Sequence, residues 1–320
     1  MRLKLYIDIN YIMKFLQVGG SHPRNSEFMR RTCYKFNIEY QEVGGPGFQD
    51  NDYDIIWCPG TWINPDLYPK SKFIFGPQFW VLPDPNHPFF TQSNPEHASR
   101  CVFTCLSHWI RDIFGEIYDI SKSNIPFLPL PFGLDIQESK KDIIEYDCLV
   151  YYKARHPSLL DFTKSVLDIS SLSYKLYTYG SYDRTDYLQS LRKSRFAIWV
   201  GSHESQGFGF QECLATGTPI YVYDVKSLKD ECSPNGRFNY TEYSQPLNAT
   251  TASHWDSRCG MKVYSNQEFV DKLPEFISKL DSFRPSEYVK ETLSDEVCFK
   301  RFLDALHITL PISSPNQPYL

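Results

Sequence analysis

Short β-rich runs alternate with helical patterns along almost the whole chain, and this alternation constrains the fold more than any other feature. In the first part the runs fall at 3–9, 38–43, 54–58, 73–75, 101–105 and 127–130, with helical patterns over 27–36 and 108–118. Strands separated by helices pair in parallel and are covered on both faces. The segment Pro131-Phe132-Gly133-Leu134-Asp135, with the charged residues that follow it to Asp142, breaks the pattern and reads as a linker. A second series then begins, with strands at 146–152, 174–179, 196–200 and 219–223 and helices at 157–169, 186–193 and 208–216. The expected organisation is two doubly wound α/β domains, 1–135 and 136–283. A tail follows at 284–320, whose helix over 286–306 is free to pack on either domain and to cross back to the first. Such sheets bind ligands outside the carboxyl ends of their strands, so two facing domains place the site in the cleft between them.

Composition narrows the function. The 320 residues are 42% hydrophobic and 22% charged, ample for two cores, and they show no heptad or Gly-X-Y period. Lys plus Arg number 33 against 38 Asp plus Glu, a net charge of -5, and scattered acidic charge is a poor footprint for duplex nucleic acid. Aromatic residues reach 16%, which suits core packing first and stacking on a sugar or base second. Nine cysteines at irregular spacing, with no C-x-x-C, read as buried free thiols in a reducing compartment. Asp8 and Lys14 interrupt the apolar N-terminal run before a signal sequence forms, so the run reads as a first strand. No stretch approaches the roughly 18 apolar residues of a membrane span. A cytoplasmic protein with no transmembrane segment is expected.

The chemistry is concentrated in one stretch, from Trp199 to Pro219. A strand ends near Gly201, a polar loop carries Gly207 and Gly209, and a helix begins at Phe208. Gly217 and Pro219 mark that helix's end, glycine supplying the left-handed residue and proline the stop. Gly207 and Gly209 therefore stand at a helix N-terminus beyond a strand, where free N–H groups and the dipole favour a phosphate. Glu204 precedes the helix and Glu212 lies in it, spanning about a dozen ångströms at helical rise. Carboxylates repel an anion but accept hydrogen bonds from neighbouring ring hydroxyls. A lone pair of glutamates would read as a solvated helix; the glycine loop between these two favours a phosphate flanked by two polyols, the description of a nucleotide sugar. Strand 146–152 runs into Lys153-Ala154-Arg155, and in extended geometry Lys153 and Arg155 point the same way to meet a diphosphate.

Glu204 to Glu212 resembles the E-x7-E motif of retaining glycosyltransferases of family four, in which E-S-F-G-x-x-x-x-E is followed by A-x-G-x-P. Glu204, Ser205, Gly207, Glu212, Ala215, Gly217 and Pro219 match, while Gln206 stands in place of the usual Phe and Phe208 in place of a smaller aliphatic. Lys153 and Arg155 are similar to the family's cationic pair, at a shorter spacing than its R-x4-K. Leu106 to Asp112 resembles the family's helix before the linker, and Pro131 to Asp135 its P-x-G-x-D linker.

The resemblance implies a GT-B fold of two Rossmann-like domains, with donor mainly in the second and acceptor mainly in the first. It implies that Glu204 contacts the donor sugar and Glu212 the ribose, that amides near Gly207, Phe208 and Gly209 hold the distal phosphate, that the Tyr179-Gly180 turn lies at the base, and that Gly19-Gly20 meets the diphosphate across the cleft. The catalytic set expected is Lys153, Arg155 and Glu204. Lys153, Arg155 and the helix N-terminus stabilise the leaving diphosphate as the C1–O bond breaks. In a front-face attack the leaving oxygen takes the acceptor's proton, so no protein base is required. His87 and His108 are candidates to polarise acceptor or sugar, each also readable as structural. Asp52-Tyr53-Asp54 mimics a metal-binding D-x-D but precedes an apolar strand, where Asp54 ends a turn. No cofactor and no divalent metal are expected beyond the nucleotide diphosphate sugar, a UDP or GDP sugar among others. The acceptor stays open among glycan, lipid-linked and protein hydroxyls, as does peripheral membrane contact. Two other readings share the architecture: a nucleotide-sugar epimerase, and a module that binds a sugar nucleotide or glycan without catalysis.

Overall fold

The computed structural model describes residues 11–48, 52–78, 84, 86–117, 120, 123–136, 142–230 and 247–310. The expected strand at 3–9, the N-terminal run, Cys232 and most of the charged stretch after Asp135 lie outside these residues.

The first domain comprises β1 (Lys14–Val18), α1 (Pro23–Lys35), β2 (Glu39–Val43), β3 (Ile55–Cys58), β4 (Lys72–Phe75), α2 (Pro88–Gln92), β5 (Cys101–Cys105), α3 (His108–Ile117) and β6 (Phe127–Pro129). Its sheet runs β2-β1-β3-β4-β5-β6, with every pairing parallel. The second domain comprises β7 (Tyr146–Lys153), α4 (Pro157–Ile169), β8 (Tyr174–Thr178), α5 (Arg184–Arg192), β9 (Ser194–Gly201), α6 (Phe208–Ala215), β10 (Ile220–Tyr223), β11 (Gly260–Val263) and α7 (Asn266–Ser278), with α8 (Pro285–Thr292) and α9 (Asp295–Ala305) closing the chain. Its sheet runs β11-β10-β9-β7-β8, again all parallel. The sequences of β3 (Ile-Ile-Trp-Cys), β5 (Cys-Val-Phe-Thr-Cys) and β10 (Ile-Tyr-Val-Tyr) are buried along their whole length, as strands covered on both faces must be. The eight described cysteines are buried and free, and burial pushes the thiols of Cys101, Cys105, Cys259 and Cys298 up to about 12.

Strand order fixes where a ligand can sit. In the first sheet the order reverses between β1 and β3, and in the second between β7 and β9. The loops leaving those strands start at Gly19, Pro59, Ala154 and Ser202, and the crevice at such a switch point is the usual binding place.

The tail forms two helices where one was expected. Leu293 and Ser294 break the run, and the two pieces go to different domains: α8 packs on α6, and α9 packs on α1. Phe299 stacks on Phe36, Phe302 tilts against Phe132, and Arg31 grips Asp295 with two hydrogen bonds of 2.6 and 2.8 Å. The linker is likewise packed: Phe132 is fully buried, and Leu134 bridges to Ser294. A Cβ on Gly133 would stand 2.7 Å from the Asp295 Cα, so only glycine lets the linker pass under α9.

Candidate active site

A cleft of about 1160 Å³ separates the domains. Gly20, Ser21, His22, Arg24, Pro59 and Gly60 form part of one wall, and the ends of β7, β8 and β9 with the start of α6 form the other. It carries four cations (Arg24, Lys153, Arg155, Arg184) against two carboxylates (Glu204, Glu212), a net of +2 that draws an anion.

The loop from β9 to α6 places both carboxylates. Gly207 is the N-cap of α6 with φ 74°, and a Cβ there would lie 3.2 Å from the Glu204 Cβ. The first helical bond of α6 is Gln211 N–H to Gly207 carbonyl, leaving the amides of Phe208, Gly209 and Phe210 ahead of it. Glu204 is 9% exposed and Glu212 6%. Lys153 Nζ meets Glu204 Oε2 at 2.8 Å, and the same ammonium lies 4.7 Å over the Tyr179 ring. Glu204 is also fixed through its backbone: its N–H donates to the Thr250 carbonyl at 3.1 Å, and its carbonyl accepts from Trp109 Nε1 at 3.1 Å. Trp109 belongs to α3, so the first domain holds the loop of the second.

Arg155 departs from the expected geometry. The strand stops at Lys153, and Ala154 has φ 47°, so the alternation that would align the two side chains ends there. Arg155 is 6% exposed; its Nη1 donates to the Gly201 and Tyr223 carbonyls at 3.1 and 3.2 Å, bracing the ends of β9 and β10. It still lines the cleft. Gly20, Phe208, Gly209 and Tyr179 line the cleft as well, whereas Gly19 and Gly180 shape the turns behind it with φ of 83° and 77°.

Neither His87 nor His108 lines the cleft. His87 caps α2, its Nδ1 accepting from the Phe89 N–H at 3.1 Å. Asp52 pairs with Lys14 Nζ at 2.9 Å, and Asp54 accepts from the Lys14 N–H at 2.7 Å, so the D-x-D look-alike ties β1 to β3.

Several cleft residues carry no signal in the sequence. Arg24 Nη2 reaches Glu212 Oε1 at 2.6 Å from the opposite domain, and Arg184 meets the same oxygen through Nε at 2.8 Å. His22 stacks on Phe208 with centroids 5.9 Å apart, and His203 packs edge-on to Trp109. Burial pushes His22 below the usual histidine range, with Arg24 adding to the effect. These partners lie far apart in sequence, 188 residues for Arg24 and Glu212, and no spacing rule joins them.

No known family model and no curated protein sequence matches the chain. Solved structures do. The lipopolysaccharide outer core galactosyltransferase WaaB, in its apo form, is similar with a TM-score of 0.55 at 12% identity, over 93% of this chain and 99% of that one. The GtfA/B complex gives 0.51 at 13% identity, over 88% of this chain and 59% of that one. TarM of S. aureus gives 0.47 at 13% identity, over 80% and 56%. The chain thus spans a little over half the length of TarM and of the matched chain of GtfA/B. Two parallel-sheet Rossmann-like domains facing across a cleft, matched by WaaB and GtfA/B, define the GT-B fold. Among the described residues no helix is long and apolar enough to cross a membrane.

Proposed function

We propose that the protein is a retaining, metal-independent glycosyltransferase that moves a sugar from a nucleotide diphosphate sugar to a hydroxyl acceptor. One observation carries the reading: two nearly buried carboxylates, Glu204 and Glu212, flank the glycine-led N-terminus of α6 inside a net-cationic cleft at the switch points of both sheets. The fold shared with a galactosyltransferase supports it.

In this reading the diphosphate lies against the amides at Phe208 and Gly209, with Lys153 as its direct cation. Arg155 adds positive charge from behind, where it braces the strand ends. Glu212 accepts from the ribose and Glu204 from hydroxyls of the sugar. The C1–O bond breaks toward the diphosphate, whose developing charge the cations and helix N-terminus stabilise. The acceptor oxygen bonds C1 on the same face as its proton passes to the departing phosphate oxygen, so configuration is retained and no protein base is consumed. The acceptor lies against the first-domain wall and is a glycan, lipid-linked or protein hydroxyl.

A thermal-shift panel of nucleoside diphosphates and their sugars, run without metal, tests the reading. A stabilising shift that Glu212→Ala mostly removes is expected, followed by a product of unchanged anomeric configuration by NMR. A flat panel, or an inverted product, refutes it. Isomerisation of the donor with no acceptor present would instead make the protein an epimerase.

A further inference from the structure

Two arginines converge on one oxygen of Glu212 through three guanidinium nitrogens. Arg24 Nη2 lies at 2.6 Å from Oε1, Arg184 Nε at 2.8 Å and Arg184 Nη2 at 2.7 Å. Oε2 of the same carboxylate accepts no hydrogen bond from the described residues, although Glu212 is only 6% exposed. An ionised carboxylate offers about four acceptor positions, so Glu212, which lines the cleft, keeps acceptor capacity on Oε2 that no described residue fills. The arginines differ in origin. Arg184 opens α5 beside Glu212 in the second domain, whereas Arg24 comes from α1 of the first. Arg24 is also held on a second side, its guanidinium lying 4.8 Å over the Phe208 ring on which His22 stacks. The contact therefore forms only when the domains are docked.

We propose that Arg24 is a positioning residue acting across the cleft. By binding Oε1 it turns Oε2 toward a ribose hydroxyl of the donor, making ribose recognition dependent on the first domain. The inference rests on the functional reading above, which assigns the ribose to Glu212. It also gives a reason for Phe208 in a motif position that otherwise holds a smaller aliphatic: the ring is the platform that keeps Arg24 in place.

The test measures affinities of UDP and GDP, of their 2′-deoxy and 3′-deoxy forms, and of the monophosphates, for the wild type, Arg24→Ala, Arg24→Lys and Glu212→Ala. The wild type should prefer ribose over a deoxyribose by about tenfold, the worth of one charge-assisted hydrogen bond. Glu212→Ala should abolish the preference, and Arg24→Ala should cut it below about threefold while leaving the diphosphate-to-monophosphate ratio unchanged. Arg24→Lys should restore part of it. Should Arg24→Ala not fold, Arg24→Gln, neutral and similar in size, carries the same comparison. An Arg24→Ala protein with the wild-type ribose preference overturns the proposal, as does one that loses only the diphosphate-to-monophosphate ratio, which would make Arg24 a phosphate ligand. A wild type that binds nucleoside diphosphates without ribose preference overturns it too. A wild type that binds none of them refutes the functional reading itself.

Discussion

Gln206 lies between the Glu204 loop and the interdomain linker, and its side-chain amide is engaged at both ends. Its Oε1 accepts from the Phe132 N–H at 3.1 Å, while Nε2 donates to the Phe132 carbonyl at 2.9 Å and to Gln211 Oε1 at 3.1 Å. The amide pairs with the linker as a strand would, pinning the Glu204 loop to the crossing between domains. Gln206→Leu leaves the Phe132 backbone groups buried without partners, at about 1–3 kcal/mol each. Denaturant unfolding should show a loss of that order, with nucleotide affinity changed far less; an unchanged midpoint would contradict the clamp. Lys153 is a different kind of residue, an ammonium paired with Glu204 in the cleft wall. Its replacement by Ala should lower kcat by about 10²–10³-fold, the usual cost of losing one preorganised charge at a developing anion, with Lys153→Arg recovering part. Equal kcat values would remove Lys153 from the chemistry.

Among elements, α6 decides the site, and Gly207 decides α6. At φ 74° an alanine is strained by roughly 1–2 kcal/mol, and its Cβ would push on the Glu204 Cβ 3.2 Å away. Gly207→Ala should therefore weaken binding of a nucleotide sugar more than of the bare nucleoside diphosphate, if Glu204 takes the sugar and Glu212 the ribose as proposed above. Equal losses in a calorimetric comparison would show that the loop moves as a unit. The strand–helix alternation that revealed α6 was less complete elsewhere. β1 carries a weak strand signal, because Lys14-Phe15-Leu16-Gln17-Val18 has a lysine and a glutamine within five residues. β11, Gly-Met-Lys-Val, is half-exposed at one sheet edge and has little apolar signal of its own. In α7, which follows directly, Pro274 inside the pattern argues against a helix that packing nonetheless holds.

At the scale of the whole molecule, the domains are joined by more than their linker. His254 Nε2, in the second domain, donates to the Leu106 carbonyl of the first at 3.0 Å. Burial pushes its pKa down from 6.5 to about 4, with His108 and Arg301 lowering it further and the Leu106 bond opposing. The unfolded chain takes up this proton near 6.5 and the folded protein only near 4. The stability of the neutral-histidine contact is therefore fully present above pH 6.5 and is lost as pH falls toward 4, on the order of 3 kcal/mol in all. Urea midpoints measured from pH 7.5 to 4.5 should fall across that window, and His254→Gln should flatten the fall. An identical pH profile in the variant would assign the loss to other groups.

Local chemistry written in consecutive residues was legible without coordinates. The two alternating series, the glycine-led helix with its Gly217 stop, and the carboxylates eight residues apart all follow from backbone periodicity and turn preference, which act over a few residues. What the tertiary structure alone decided is which distant groups meet. Arg24 and Arg184 converge on Glu212, Trp109 holds the Glu204 carbonyl, and the tail splits so that α9 lies on α1. Arg155 looked equivalent to Lys153 until the left-handed turn at Ala154 sent it to the strand ends. Side-chain partners across a cleft are chosen by packing and electrostatics over the whole chain, and no local pattern encodes them.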